Sequence, residues 1–222
     1  MKSAVFFFII AGVLALLFFI FLGRANYRKE GDKSYDILVD FPFDLAFGKT
    51  LFSVLSRIAY LLFFLSLALI PLSYVFAGGG LNSMAIFLMA VSLFDMGAAS
   101  GILFVPPSKT KPHVFSSLAF FFFGGLCSFF AGLFVFQFKD DYPLLAWVMS
   151  VLFWVLALAF ILLMVNPKLA NWAKMNVVES PYGSYLEKPR PFWLAFSQWL
   201  CLLLHIVLFV LLCISFTLIA FL

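Results

Sequence analysis

Hydrophobic positions in this chain come in long unbroken runs. They do not alternate as in strands, nor form the narrow stripes of surface helices. Residues 4–22 and 58–77 hold no charged side chain, and 81–105 hold only Asp95. Residues 114–138 and 142–165 hold none, and 192–222 hold the titratable His205 and no formal charge. Each run is close to, or longer than, the roughly 20 apolar residues a helix needs to cross hydrocarbon. Only helices or closed barrels satisfy their backbone polar groups in lipid, and continuous apolar runs belong to helices. The pattern therefore predicts an all-α membrane protein, a six-transmembrane-helix bundle forming one polytopic domain over residues 1–222. No soluble module is expected.

Composition strengthens this. The chain is 65% hydrophobic and 11% charged, with 33 Phe among its 222 residues. Soluble domains sit near about 45–50% apolar and about 25% charged. Too little polar side chain remains here to coat a water-soluble surface, so the excess must face lipid.

Charge sets an expected orientation. Arg24, Arg28, Lys29, Lys33, Lys49, Arg57, Lys109, Lys111, Lys168, Lys174, Lys188 and Arg190 all fall on one side of the six spans, and only Lys2 and Lys139 on the other. Twelve against two is a strong bias of the kind that places basic loops in the cytoplasm. Loops 23–50, 106–113 and 166–191 are then cytoplasmic, both termini lie outside, and a bacterial cytoplasmic membrane is the default location. A cleaved signal peptide ending near Gly23 and Ala25 is the competing reading of the first run. It would export six basic residues and break the parity of the other loops. The net charge of +4 implies membrane lipids as partners, since basic groups beside spans meet anionic headgroups; no nucleic acid is needed.

Between the spans, the segment "SYDILVDFPFDLAFGKT" follows a basic stretch. Asp32, Asp36, Asp40 and Asp44 recur every four residues, but Pro42 argues against an unbroken helix and stacked like charges repel. A solvated acidic face is expected, with Phe41, Phe43 and Phe47 dipping into the interface. "AGGGLNS" lacks the Lys-Ser/Thr of a phosphate loop and reads as a flexible turn. "NPKLANWAKM" predicts a short interfacial amphipathic helix between spans five and six, with Trp172 on its apolar face and Lys168 and Lys174 reaching headgroups. The following "SPYGSYLEKPRP" reads as loop.

Two stripes of small residues, Gly97 and Gly101 in span three and Gly124, Ser128 and Gly132 in span four, predict close helix packing, most simply of these two spans on each other. Cys127, Cys201 and Cys213 lack metal-site spacing and read as packing residues. No cofactor and no metal is expected.

Asp95 is the exception in the apolar pattern. An ionisable group inside a span is a functional-site hypothesis by default and costs about 2.5–3.5 kcal/mol at a helix centre on insertion scales. Measured along helices, Asp95 and His205 lie at similar depth, roughly 15 and 20 Å from the same side. Three readings follow. Asp95 is a structural clamp, paired with Arg57 or bonded to Ser92; or Asp95 and His205 line a proton or cation path; or the two act as acid and base in an intramembrane enzyme. The chain shows no HExxH, no GxSxG, no Cys–His nucleophile and no convincing internal repeat. The sequence thus favours a non-catalytic integral membrane protein, a subunit or accessory factor of a membrane assembly that contacts lipid and other membrane subunits. A small proton- or cation-coupled transporter or channel using Asp95 with His205 is the alternative.

Overall fold

The computed structural model describes residues 2–30, 35–76, 82–168, 176–180 and 183–221. Among them, six helices are long and apolar enough to cross a membrane. They are α1 (Lys2–Glu30), α3 (Leu51–Phe76), α4 (Ser83–Phe104), α5 (Thr110–Phe136), α6 (Pro143–Met164) and α7 (Trp193–Phe221). A one-turn helix, α2 (Pro42–Leu45), precedes α3. The protein is an all-α bundle of six spans.

Local chemistry explains several ends. Asn82 accepts the Met84 and Ala85 N–H groups at 2.9 and 3.2 Å, satisfying donors that the first turn of α4 leaves orphaned. Its amide also donates to Gln137 Oε1 at 2.8 Å, tying this end of α4 to that of α5. Pro143 opens α6, where a missing N–H costs nothing. Two helices start earlier or run further than the apolar runs. α1 continues past Leu22 to Glu30, carrying Arg24 and Arg28, and α3 begins at Leu51, so Arg57 sits in its second turn.

Chain neighbours pack as α1–α3, α3–α4, α4–α5, α5–α6 and α6–α7, and α7 turns back onto α1, α3 and α5. α7 therefore touches four of the other spans, and one apolar core runs through all six. Outward, large side chains such as Phe7, Phe21, Phe94, Leu144 and Val155 are exposed, as expected where the solvent is hydrocarbon.

The segment joining α1 to α3 differs from the solvated acidic face predicted. Asp40 accepts the Asp36 N–H at 2.8 Å, Asp36 Oδ1 the Leu38 N–H at 3.0 Å, and Asp44 the Phe41 N–H at 2.8 Å. The aspartates close turns. Asp32 lies outside the described residues. Phe41 and Phe43 are buried against Phe192, Leu194 and Ala195 in a second small core, and Phe47 alone stays exposed. Buried Asn26 of α1 donates to the carbonyls of Leu45 and Phe47 at 3.3 and 2.7 Å and accepts from Thr50. Tyr35 donates to Phe41 O at 2.8 Å and receives the Trp199 indole N–H at 3.0 Å. Burial, then the nearby Asp44, raises the Tyr35 phenol, so it remains a donor.

The "SPYGSYLEKPRP" stretch also departs from a plain loop. β1 (Asn176–Ser180) and β2 (Gly183–Glu187) form an antiparallel hairpin, with Asn176 opposite Glu187 and Ser180 opposite Gly183. Gly183 has φ +120°, a conformation that side chains disfavour. Cross-strand pairing overrode the polar composition of this segment. The predicted amphipathic helix falls largely on 169–175, and Trp172 and Lys174 lie outside the described residues. Lys168 sits with its Nζ 4.2 Å from the centre of the Trp193 ring, a cation–π contact.

Burial raises Asp44 above its ordinary value of 3.8, opposed by the Phe41 N–H and Lys188. A raised folded value favours the folded state below that ordinary value, and the advantage is lost as pH rises through the folded one. Asp44→Asn keeps an oxygen for the Phe41 N–H and removes the charge. It is expected to fold with equal or higher stability at pH 7 and to flatten the acid side of a melting-temperature profile in detergent. An unchanged pH profile would rule out Asp44 as its source.

Candidate functional site

Asp95 lies in the middle of α4 and His205 in the middle of α7, and both side chains are wholly buried. Asp95 Oδ2 is 2.9 Å from His205 Nε2. Arg57 is not its partner. The Arg57 guanidinium instead donates to the carbonyls of Ala46 and Gly48 at 2.8 and 3.2 Å and covers the Phe104 ring. Ser92 is not a partner either. Its hydroxyl donates back to Leu88 O at 2.8 Å and lies 3.5 Å from the Cys127 sulfur. The α2–α3 turn had unpaired carbonyls to offer, and a serine one turn above its own carbonyl satisfies itself locally.

The proton count of the pair follows from its other contact. His205 Nδ1 is 2.7 Å from Cys201 O. A carbonyl only accepts, so Nδ1 carries hydrogen and donates. Nε2 then has two favourable states opposite Asp95. Either it is protonated against a carboxylate, or it is bare and accepts from a carboxylic acid. Both contain one shared proton and no net charge, and either removes most of the cost of an isolated carboxylate in a span.

The surroundings are dry and aromatic. The His205 ring stacks on Phe120 with centroids 4.3 Å apart and planes 2° from parallel. Phe160 and Phe64 approach it edge-on at 4.8 and 5.2 Å. α4 and α7 are not main packing neighbours; α5 stands between them. Gly124 of α5 makes the crossing. A Cβ there would stand 2.7 Å from His205 Nε2 and 2.6 Å from Phe160 Cε1. The pair is thus a tie across the bundle through a notch in the intervening helix. Asp95 Oδ1, fully enclosed, has no hydrogen-bond partner among the described residues, and Oδ2 and His205 Nε2 meet only each other, at ion-pair distance and outside good hydrogen-bond alignment.

The other small residues divide. Gly101 faces Ser116 of α5, with a Cβ falling 2.5 Å from its hydroxyl. Gly132 faces Trp154 of α6 in the same way, and its carbonyl accepts from Ser150 at 2.9 Å. Buried Ser128 bonds to Gly124 O at 3.0 Å. Nothing lies within 4 Å of a Cβ at Gly97. α4 and α5 do pack together, yet the span-four stripe serves α6 and α7, so spacing alone did not identify its partner.

A second buried polar cluster was missed by sequence reasoning. His113 Nδ1 donates to Val105 O at 2.7 Å, leaving Nε2 bare, and Gln198 Nε2 donates to it at 2.9 Å and to Ser117 Oγ at 2.8 Å. This imidazole is neutral by its bonding. Gln198 and His205 are seven residues apart on one face of α7, a spacing that gains meaning only once that face is known to turn inward.

Two pairs of substitutions separate tie from bystander. Asp95→Leu leaves His205 Nε2 buried without a partner and is expected to lower stability by about 1–3 kcal/mol, whereas Asp95→Asn offers Nε2 a donor and retains most of it. Gly124→Ala forces the ring out of its notch, at about 1–3 kcal/mol for overpacking, while Gly97→Ala is tolerated. Thermal unfolding in detergent reads all four, and an Asp95→Leu variant as stable as the parent would dispose of the tie. No family model, no curated protein and no solved structure matches this chain.

Proposed function

We propose that this chain is a non-catalytic integral membrane protein, a subunit or accessory factor of a membrane assembly that binds lipid. It sits in a bacterial cytoplasmic membrane, with its basic loops inside and both termini outside. The observation that carries the reading is the enclosure of the Asp95–His205 pair: both side chains are fully buried, one face of the imidazole is closed by a stacked ring, and two more rings meet its edges. A group that shuttles protons or ions needs water or substrate on one side of its cycle. These two groups spend their polarity on each other. His113, Ser117 and Gln198 form a second such cluster nearer one membrane face, with Gln198 Oε1 left without a partner among the described residues. What remains for function is the outer surface, where lipid and partner helices compete for the same apolar side chains.

One observation favours the alternative, a small proton- or cation-coupled transporter or channel. Asp95 Oδ1 has no donor among the described residues, and an oxygen in that state is where an entering water or cation would bind.

Reconstitution decides between the two. On the accessory reading, proteoliposomes hold a pH or cation gradient as well as empty vesicles, and Asp95→Asn changes nothing. In a coupled transporter the gradient collapses and Asp95→Asn abolishes the flux. Solubilisation in mild detergent is expected to recover the chain with a stoichiometric membrane partner; a clean monomer would count against the assembly.

A further inference from the structure

At the basic end of the bundle an open cavity of about 620 Å³ lies between α1, α7 and the segment that follows α1. Its lining combines two chemistries. Ile20 and Leu45 give it apolar surface, and Arg24 and Arg190 give it two guanidinium groups. Trp199 also borders it, and the indole N–H is already spent on Tyr35 Oη and Asp40 O at 3.0 and 2.9 Å. Such an aromatic marks the headgroup level of a bilayer. Arg24 lies two residues beyond the apolar run that ends at Leu22, so the cavity opens where hydrocarbon gives way to phosphate.

The charge balance is selective. Asp36 is the one acid among the described lining residues. Its Oδ2 pairs with Arg190 Nε at 3.1 Å, and its Oδ1 is taken by the Leu38 N–H. This orients Arg190 without neutralising Arg24, which has no ion-pair partner among the described residues. A zwitterionic headgroup would seek a free carboxylate for its amine and finds none among the described lining residues. A phosphate diester finds two planar donor forks, the geometry that guanidinium offers phosphate. A free phosphate ion would gain nothing from Ile20 and Leu45, whereas the glycerol and first acyl carbons of a lipid would cover them.

We infer that this cavity holds an anionic phospholipid, its phosphate between Arg24 and Arg190 and the start of its acyl chains against Ile20 and Leu45. The inference rests on the lipid-binding part of the proposed function and gives it a place and a class.

The full chain in mild detergent, titrated with phosphatidylglycerol, phosphatidylcholine or inorganic phosphate and read by native mass spectrometry, tests it. Phosphatidylglycerol is expected to bind best. Arg24→Gln and Arg190→Gln should each weaken it roughly fivefold, the double variant on the order of 25-fold, and Arg28→Gln, on α1 outside the cavity, hardly at all. Arg190→Lys keeps a positive charge beside Asp36 and guards against misfolding; it should fold and lose part of the affinity. If the double variant bound phosphatidylglycerol like the parent, lipid binding would stand and this site would fall. No preference over phosphatidylcholine would overturn both the site and the lipid-binding reading. Displacement of the lipid by equimolar inorganic phosphate would show a site for the free ion and also overturn the inference.

Discussion

Hydrocarbon offers no hydrogen bonds, so every polar group placed in it must find its partner within the protein. Asp95 is where that constraint acts most strongly. Its placement costs about 2.5–3.5 kcal/mol if left alone, and a hydrogen bond to a charged group returns about 1.5–3 kcal/mol. The two magnitudes are close enough that one good contact nearly offsets the burial. His205 supplies the contact at 2.9 Å, and Cys201 O fixes which imidazole nitrogen faces the acid. Phe120 and Phe160 hold the ring in place. Gly124 is the covalent condition for all of this, since any side chain at that position would occupy the space of the imidazole.

The same constraint organises the basic end of the bundle. The C-terminus of α2 and the turn before α3 expose carbonyls that lipid cannot satisfy. Asn26, Ser53 and Arg57 gather them. Ser53 reaches the Ala46 and Gly48 carbonyls at 2.5 and 3.0 Å, and Arg57 reaches the same two. Gly48, at φ +105°, makes the turn that presents its carbonyl to both. The segment after α1 is therefore a plug docked on α1 and α3. Phe192 N–H donates to Leu38 O at 2.8 Å, joining the plug to the entry of α7. The cavity beside Arg24 and Arg190 exists because the plug covers only part of this end.

Function follows from how these polar groups are spent. In the interior, carboxyl, imidazole and amide groups meet across helices, while most serine hydroxyls return to a carbonyl of their own helix. At the basic end, charged and aromatic groups line an open space. The proposed accessory role places contacts with other molecules at that rim and on the lipid-facing surface. Asp95 Oδ1 is left unfilled, as are Gln198 Oε1, Trp154 Nε1 and Ser215 Oγ among the described residues, and it bears directly on the transporter alternative.

Run length and charge content determined the number of spans and their helical nature, because those depend only on whether each stretch can tolerate hydrocarbon; the ends of α1 and α3, at Glu30 and Leu51, lie well beyond the apolar runs. The similar depth of Asp95 and His205 was also legible, since helical rise converts sequence distance directly into depth. Which helices touch was not. Arg57 and Ser92 competed with His205 for Asp95 until the fold packed α7 against α5 and turned Gly124 toward His205. Likewise the Gly97 spacing resembled a contact stripe and meets nothing, and the aspartates of the plug read as a solvated face but close its turns. Rotation of a helix about its axis, and the choice of neighbour, are settled by side chains meeting across the bundle. An apolar run has the same hydropathy on every side, so only the tertiary structure could decide them.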